Sequence, residues 1–342
     1  MQRGIKQILP DAQVDLCPIA DGGEGTLDAL ATAAGGQIYH HEVTGPLGQT
    51  VLAPWALLDK GAGAVIEMAA ASGLQLVPPA QRDPTRTTTY GTGELVRTAM
   101  NYGAQRIILG IGGSATNDGG CGAAQALGIE FEGAPIPITG ADLLSIRSVR
   151  HKVIEAELLV ACDVNNPLTG PNGAAHIYGP QKGATVNQVD LLDNGLTHLR
   201  NVLGIEDQPG AGAAGGFGYG AVALLGAQLQ RGVDLVLEAV DFDRRVAGCD
   251  LCLTGEGRID GQSLSGKAIM GVTQVARQHD VTTIALVGSV GPDADRAIEQ
   301  GLAAYHQIAA DLPVSESMAR AAECVERTAA TVIQAHLESR TP

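Results

Sequence analysis

The sequence of 342 residues predicts an α/β protein whose largely parallel sheet is interrupted by a region of antiparallel strands. Four segments share one order, in which an apolar strand leads into a glycine-rich or polar loop and then often into a helix. Residues 37–69 differ, because they form three short apolar runs with tight turns at Gly45-Pro46 and Lys60-Gly61. We therefore predict that one domain is inserted into another.

The two ends of the chain are predicted to form one Rossmann-like domain around this insertion. We place residues 1–40 and 241–342 in the Rossmann-like domain and residues 41–240 in an inserted α/β domain, with approximate boundaries. Residues 3–9 have the pattern of the first helix of a βαβ unit, but no strand precedes them. Since a doubly wound domain normally begins with a strand, we expect either a domain that starts on a helix or a first strand encoded upstream.

The composition excludes several classes of function. The formal net charge is −15 and aromatic residues make up 3%, which disfavours binding to DNA, to anionic membranes and to stacked bases. No apolar run approaches the ~20 residues of a membrane-spanning helix, and Lys6 and Asp11 interrupt any signal peptide. We expect a cytoplasmic protein without nucleic-acid or membrane partners. The pair Cys249 and Cys252 lacks further metal-ligand spacing, so we interpret it as core thiols.

The first glycine-rich loop, "ADGGEGT", follows a strand predicted at about residues 14–19 and precedes a helix. The backbone amides of Gly22 and Gly23 can face an anion at the start of that helix. Asp21 and Glu24 suit Mg²⁺ or the hydroxyl groups of a substrate. An equally weighted alternative is a tight turn in which Asp21 caps the helix.

The second loop, "GIGGSATNDGG", directly follows the apolar run "RIILG". A plain turn between a strand and a helix needs one or two glycines, whereas this loop has five, so we favour a ligand-binding loop. Asp118 is placed to cap the following helix, and Thr92 to cap the helix before the strand. The candidate ligand-binding residues of the loop are Gly112, Gly113, Ser114, Thr116 and Asn117.

Asp163 lies where the apolar run "LLVAC" ends, at the edge where open α/β sheets bind ligands. It could act as a general base, hold Mg²⁺, or simply form an Asx turn. Lys182 follows in a Gly/Pro loop, where it could neutralise phosphate, although a solvated lysine is the commoner outcome. The glycine-dense residues 210–220 could form a second phosphate loop or a hinge.

The stretch "LTGEGRIDGQSLSGKA" superficially matches a phosphate-binding P-loop at Gly261 to Lys267. Ala268 replaces the hydroxyl residue that would hold Mg²⁺, and the strand is predicted to end at about Thr254, too early for that loop. We therefore reject a true P-loop but keep Lys267 as a cation for phosphate.

In the same stretch, Arg258 lies between Glu256 and Asp260. It could be an ordinary ion-paired arginine or a two-pronged clamp for a substrate carboxylate. A dehydrogenase that uses a dinucleotide is disfavoured, since the sequence lacks a GxGxxG followed ~20 positions later by the acidic residue that contacts ribose.

Seven of these motifs, in order and over nearly the whole chain, resemble the type-1 bacterial glycerate kinase family. They are "ADGGEGT", "GTGELV", "GIGGSATNDGG", "ACDVNNPLTGPNGAA", "YGPQKGA", "GAAGGFGYG" and "LTGEGRIDGQSLSGKA". The resemblance implies a two-domain α/β fold, one domain Rossmann-like, with the active site in the cleft between the domains. It also implies ATP- and Mg²⁺-dependent phosphorylation of D-glycerate, with the 2-hydroxyl favoured over the 3-hydroxyl.

Family members begin with a strand and an Asp-Ser-Phe-Lys-Gly motif, which this sequence lacks. We therefore keep a truncated, non-catalytic glycerate- or nucleotide-binding protein as an alternative, and a homodimer as the candidate assembly.

Phosphoryl transfer needs positioning and charge neutralisation, and these needs suggest a role for each candidate residue. We assign Asp163 as the catalytic base or a metal ligand. For binding glycerate we assign Arg258, Ser114, Thr116 and Asn117. For nucleotide and phosphate we assign Gly22, Gly23, Gly112, Gly113, Lys182 and Lys267. For Mg²⁺ we assign Asp21, Glu256 and Asp260.

Overall fold

The computed structural model describes residues 1–23, 25–58, 63–261, 268–310 and 312–340. The chain forms two compact units, the first from Met1–Ile19 with Leu237–Pro342 and the second from Ala20–Val236. The chain passes from one unit to the other between residues 19 and 20 and again between residues 236 and 237. The predicted domain boundaries were at about residues 40 and 240. Parallel and antiparallel strands alternate with helices, which confirms the predicted α/β class.

The second unit is built on a six-stranded sheet with the order β1-β2-β3-β4-β7-β8. A separate two-stranded antiparallel sheet contains β5 and β6. The strands of this unit are β1 (Gln37–Thr44), β2 (Thr50–Leu57), β3 (Gly63–Glu67), β4 (Arg106–Gly110), β5 (Glu130–Glu132), β6 (Ser148–Arg150), β7 (Glu157–Ala161) and β8 (Gln228–Gln230). β2 pairs antiparallel with both β1 and β3, which confirms the three strands predicted over residues 37–69. From β3 onwards the neighbouring strands are parallel.

The parallel strands form the core of the second unit because their sequences are apolar on both faces. In β4 and β7, four of five residues in each strand are buried. In the antiparallel part, Trp55 is fully buried, and its indole Nε1 donates a hydrogen bond of 2.9 Å to Nδ1 of His41. The ring of Tyr39 stacks on Trp55 with centroids 5.2 Å apart.

Helices α2 to α8 belong to the second unit. They are α2 (Thr26–Ala33), α3 (Ala69–Ser72), α4 (Tyr90–Asn101), α5 (Cys121–Ala126), α6 (Ala174–Tyr178), α7 (Val186–Leu203) and α8 (Ala213–Leu225). Short 3₁₀ turns occur at Leu74–Leu76, Pro79–Gln81, Gly140–Ser145 and Pro180–Lys182. The prediction that Thr92 caps α4 is wrong, because the helix begins two residues earlier and Thr92 lies inside it. Residues 210–212 precede α8, and residues 213–220 belong to it. At Ala214, Gly215 and Gly216 its backbone has left-handed φ and ψ angles.

The first unit is built on a parallel three-stranded sheet with the order β11-β10-β9. Its strands are β9 (Cys252–Ile259), β10 (Thr283–Val290) and β11 (Ala304–Gln307). Its helices are α1 (Gln2–Ile8), α10 (Phe242–Val246), α11 (Ala268–Gln278), α12 (Arg296–Glu299), α13 (Val314–Ala319) and α14 (Ala321–Arg340), while α9 (Gly232–Ala239) crosses the unit boundary. No described helix has both the length and the apolarity needed to cross a membrane.

Two strand predictions in the first unit are wrong. Strand β9 does not end at Thr254 but continues to Ile259, since its neighbour β10 supplies hydrogen-bond partners over that whole length. The strand predicted at 14–19 does not form, and this segment has no ladder with any described strand. The predicted helix at residues 3–9 is confirmed as α1, which packs on α14 through an ion pair of 2.8 Å between Arg3 and Glu326.

Candidate functional site

The carboxyl ends of the parallel strands in the second unit carry most of the predicted site residues. The Gly22 loop crosses these strand ends so closely that a Cβ atom on Gly22 would lie 2.6 Å from the Cβ of Ala161 and 2.8 Å from the Cα of Gly232. A Cβ on Gly110 would lie 2.7 Å from the Gly22 carbonyl oxygen. With a φ of +89°, Gly22 is required here both for its backbone conformation and for the close approach.

The two predicted glycine loops also meet each other in the second unit. A Cβ on Gly112 would be 3.7 Å from the Cα of Gly23. Gly113 has a φ of +72°, and its carbonyl oxygen accepts a hydrogen bond of 2.8 Å from the Leu74 amide. The structure therefore brings together four predicted glycines from loops about 90 positions apart, although of these two loops only the second follows a described strand, β4.

Lys182 is buried beneath the second glycine loop and is only 2% exposed. Its ammonium donates hydrogen bonds to the Ser114 hydroxyl at 2.8 Å and to the Thr116 carbonyl oxygen at 2.6 Å. Desolvation lowers the pKa of Lys182 to about 7, against an opposing attraction from Asp118. The sequence prediction of Lys182 as a site cation fits this position, and the alternative of a solvated loop lysine is wrong.

Several buried polar atoms beside Lys182 have no hydrogen-bond partner in the part of the chain that the structure describes. They are the Oγ1 of Thr116 and both side-chain amide atoms of Asn117, a residue that is fully buried. An unsatisfied buried amide loses the hydrogen bonds that water would give it, so such groups normally bind water or a ligand. Together with the buried ammonium, they make up a buried polar cluster whose donors and acceptors match an anion that also carries hydroxyl groups.

Asp118 supports this buried polar cluster. Its carboxylate accepts hydrogen bonds from the Thr89 amide at 2.8 Å and hydroxyl at 2.7 Å, and from the amides of Gly120 and Gly122 at 3.2 Å each. Burial raises the pKa of Asp118, while these four donors oppose the rise. The N-cap residue of α5 is Gly120 rather than Asp118, but the Asp118 carboxylate still accepts the Gly122 amide in the first turn of α5 and joins that turn to the start of α4.

The threonines that anchor the second glycine loop were not among the residues predicted from the sequence. The hydroxyl of Thr87 donates to the Ala115 carbonyl oxygen at 2.9 Å, and Thr89 bonds Asp118 as described. Both threonines are at most 1% exposed. The one available signal is the run of three threonines directly before α4, because consecutive hydroxyl residues before a helix favour local capping bonds.

Asp163 follows β7, and its Oδ1 accepts a hydrogen bond of 3.0 Å from the Gly232 amide. Although the residue as a whole reaches the surface, neighbouring chain removes water from its carboxylate, and this desolvation raises the pKa of Asp163 to about 6. The bond from Gly232 opposes the rise, and the negative charge of Asp21 adds to it. The negative charge of Asp21 thus acts on Asp163, and we call these two carboxylates near the strand ends the carboxylate pair.

Asp21 itself accepts a hydrogen bond of 3.1 Å from the Gly23 amide. This bond joins residues two positions apart, as in an Asx turn, and it agrees with the tight turn that we gave as the alternative for this loop. No group of three or more His, Cys, Asp or Glu side chains arranged to hold a metal ion occurs among the described residues. The carboxylates of the second unit thus offer a pair of oxygen ligands rather than a complete protein cage.

The remaining predicted residues lie in the first unit. The Nε of Arg258 donates to Oδ2 of Asp260 at 2.9 Å, with the arginine side chain 58% exposed and the aspartate 16% exposed. Glu256 lies two residues earlier on the same strand, β9. Arg258 is therefore an ion-paired arginine with an exposed guanidinium, which is compatible with either predicted role. Lys267 and Glu24 lie outside the described residues.

Comparison with known proteins gives consistent matches along the whole chain. A family model described as "Glycerate kinase family" matches residues 1–337. A glycerate kinase from Bacillus subtilis is 46% identical over 96% of this chain and 90% of its own length. A glycerate 2-kinase from Escherichia coli is 44% identical over 90% of this chain and 84% of its own.

A solved structure shows the same similarity in three dimensions. The crystal structure of a protein assigned as glycerate kinase 2 from Salmonella typhimurium LT2 superposes with a TM-score of 0.89 at 42% identity. The match covers 100% of this chain and 93% of that one. The fold class predicted from the sequence and the resemblance on which it rested are confirmed, and the chain belongs to the glycerate kinase family.

Proposed function

We propose that this protein is an ATP-dependent kinase that phosphorylates D-glycerate, at the 2-hydroxyl in preference to the 3-hydroxyl. The observation that carries the proposal is the buried polar cluster of Lys182, Thr116 and Asn117, in which side-chain atoms of Thr116 and Asn117 have no hydrogen-bond partner among the described residues. Membership of the family and similarity to the Escherichia coli glycerate 2-kinase support the choice of substrate and of the favoured position.

Lys182 suits an anionic ligand because of the low pKa that burial imposes on it. An ammonium that desolvation has brought close to neutrality regains its charge when an anion binds beside it, so binding is coupled to proton uptake. Asn117 and Thr116 offer donors and acceptors to carboxylate or phosphate oxygens and to hydroxyl groups. Because the chain as a whole carries a net charge of −15, such local cations and amides must provide the attraction.

Asp163 is the group we assign as general base. With a pKa of about 6 it is mostly ionised at neutral pH, yet basic enough to accept the proton of a substrate hydroxyl during phosphoryl transfer. Its bond from Gly232 occupies Oδ1 and fixes the carboxylate at the end of β7. The base therefore has one oxygen held by the backbone and one available to the substrate.

The carboxylate pair also fits Mg²⁺. Asp21 and Asp163 repel each other, and a divalent cation that uses one or two carboxylates and keeps its other positions for water and phosphate would relieve that repulsion. When bound, Mg²⁺ neutralises charge on the transferring phosphate. Glu256 and Asp260 stay candidate ligands on the first unit, and Arg258 stays the candidate clamp for the glycerate carboxylate. A cytoplasmic location and a homodimer also stay predictions.

A coupled assay of ADP release tests the function. We expect ADP to form only when ATP, Mg²⁺ and D-glycerate are all present, and phosphorus NMR of the product to show the 2-phosphate. A product phosphorylated at the 3-hydroxyl would correct the position while keeping the class of reaction. Binding of glycerate and ATP by calorimetry without ADP formation would instead support the non-catalytic alternative.

The variant Lys182→Met should bind glycerate or ATP at least about tenfold more weakly, since it removes the buried charge but nearly keeps the length of the side chain. The exposed Lys152, which bonds the Leu127 carbonyl oxygen at 3.1 Å, offers a matched control. Lys152→Met should leave both affinities unchanged. If the two variants behave alike, the buried polar cluster around Lys182 is not the anion site.

A further inference from the structure

Glu67 is a charged residue at the carboxyl edge of the six-stranded sheet in the second unit. It ends β3, where it pairs in register with Gly110 at the end of β4, and Gly110 pairs in turn with Ala161 at the end of β7. Three adjacent parallel strands therefore end in one row of residues, and Glu67 is the charged member of that row. Because α/β sheets bind ligands at this edge, Glu67 is a candidate for a part in the reaction.

The Gly22 loop lies next to this row. A Cβ on Gly110 would be 2.7 Å from the Gly22 carbonyl oxygen and 3.9 Å from the Cγ of Glu67. A Cβ on Gly22 would be 2.6 Å from the Cβ of Ala161. The loop thus contacts the ends of β4 and β7 through its backbone, and the side chain of Glu67 approaches the same place from β3.

The carboxylate of Glu67 binds the helix that follows the loop. Its Oε1 accepts a hydrogen bond of 2.9 Å from the amide of Leu27, the second residue of α2. The first amides of a helix have no acceptor inside the helix, and the side chain of the N-cap residue normally supplies one. The N-cap residue of α2 is Gly25, which has no side chain and a φ of +90°. Glu67 therefore takes the place of an N-cap side chain from 40 positions away.

A cap that comes from the sheet has a different effect from a cap inside the loop. A local side chain would satisfy the amide but would leave the loop and α2 free to move together over the strand ends. The bond from Glu67 instead joins the first turn of α2 to β3, and the positive end of the helix dipole favours a carboxylate there. The loop is consequently held at Gly22 by β4 and β7, and at Leu27 by β3.

The position of the loop matters because it carries groups that we assign to nucleotide and Mg²⁺. A Cβ on Gly232 would overlap the carbonyl oxygen of Asp21, and the amide of Gly232 donates to Asp163. Gly232 therefore contacts both members of the carboxylate pair. A shift of the loop would change the spacing of that pair, and it would also move the amides of Gly22 and Gly23.

We propose that Glu67 is a positioning residue for the nucleotide, which acts by holding the Gly22 loop and Asp21 in the place where they bind ATP with Mg²⁺. The inference rests on the proposed function, which assigns the amides of Gly22 and Gly23 to phosphate. In this role Glu67 contacts neither substrate nor metal. The amide of Leu27 needs an acceptor oxygen, which a glutamine carbonyl can also supply, so the role requires the oxygen rather than the negative charge.

Two substitutions separate the oxygen from the charge. Glu67→Ala removes both, and we expect the affinity for ATP with Mg²⁺, measured by calorimetry without glycerate, to fall about tenfold or more. The KM for ATP should rise in parallel, with the KM for glycerate within about twofold of the wild type. Glu67→Gln keeps the acceptor and should recover most of the loss, to within about threefold of the wild-type affinity.

Glu94 offers a matched control in the second unit. It is partly buried, as Glu67 is, and its Oε2 accepts a hydrogen bond of 2.7 Å from the amide of Thr44 on β1, the edge strand of the sheet. Glu94→Ala removes a bond of the same kind that does not hold the Gly22 loop, so it should leave the affinity for ATP unchanged. A tenfold loss in Glu94→Ala, or an equal loss in Glu67→Gln and Glu67→Ala, would overturn the proposal.

Hydrogen exchange of the Leu27 amide, followed by NMR, tests the contact without any need for activity. We expect it to quicken about tenfold in Glu67→Ala and to stay near the wild-type rate in Glu67→Gln. An unchanged rate in Glu67→Ala, or a faster rate with unchanged affinity for ATP, would overturn the proposal. A wild type that neither binds ATP nor releases ADP would refute the proposed function instead, and the Leu27 amide would still show whether Glu67 holds the loop.

Discussion

The stability of the second unit should depend on pH through Lys182. Its pKa is about 7 in the folded protein, against 10.5 for an ordinary lysine. Between these values the unfolded chain holds a proton that the folded chain has released, so raising the pH favours the folded state. At 1.36 kcal/mol for each pKa unit, the free energy of unfolding gains about 2 kcal/mol between pH 7 and pH 9 from this group. In Lys182→Met this gain should be absent.

The single tryptophan makes the measurement specific to this unit. Trp55 is fully buried in the second unit, so its fluorescence during urea denaturation reports the unfolding of that unit. The quantity to compare is the change in free energy of unfolding from pH 7 to pH 9, in the wild type, in Lys182→Met and in Lys152→Met. The last variant controls for loss of one positive charge at an exposed position. If the free energy of unfolding rises by the same amount from pH 7 to pH 9 in the wild type and in Lys182→Met, desolvation does not lower the pKa of Lys182.

Three further substitutions test the site. Asp163→Asn should lower kcat about 100-fold or more with an unchanged melting temperature, and the wild type should lose activity as the pH falls through about 6, because the base becomes protonated. Gly22→Ala should lower the free energy of unfolding by about 1–3 kcal/mol and remove most of the activity. The control Gly25→Ala, at a glycine with a φ of +90° and no atom within 4 Å of an added Cβ, should lower that free energy by about 1 kcal/mol. Equal losses of the two variants in urea denaturation would refute the close approach at Gly22. Arg258→Lys should raise the KM for glycerate more than the KM for ATP, because an ammonium cannot grip a carboxylate in two places; a larger rise for ATP would assign Arg258 to phosphate.

Features that depend on neighbouring residues in the sequence were predictable. The apolar runs of β4 and β7 specify strands covered on both faces, and parallel strands place the loops after them at one edge. The same two properties predict that the loop with Ser114, which follows β4, and Asp163, which follows β7, lie at that edge. The prediction succeeds because the direction of a strand and the position of its carboxyl end follow from local sequence and chain order.

Features that depend on distant contacts were not predictable. Lys182 looks like a solvated loop residue, and its burial arises from contact with Ser114 and Thr116, which lie more than 60 positions away. The strand pattern of residues 14–19 is present, but a strand also needs a neighbour to accept its hydrogen bonds. Local sequence specifies the preference of such a segment, and the rest of the fold decides whether the preference is realised.

The division of the chain into units has a consequence for its synthesis. The second unit is continuous from Ala20 to Val236, whereas the first is assembled from Met1–Ile19 and Leu237–Pro342. Since a ribosome releases the amino-terminal part first, the second unit can fold while translation continues. Helix α1 must wait for α14, where Glu326 pairs with Arg3 and Gln7. The nascent chain therefore carries the α1 segment without its packing partner through most of translation, and during that time a chaperone or a premature contact can reach it.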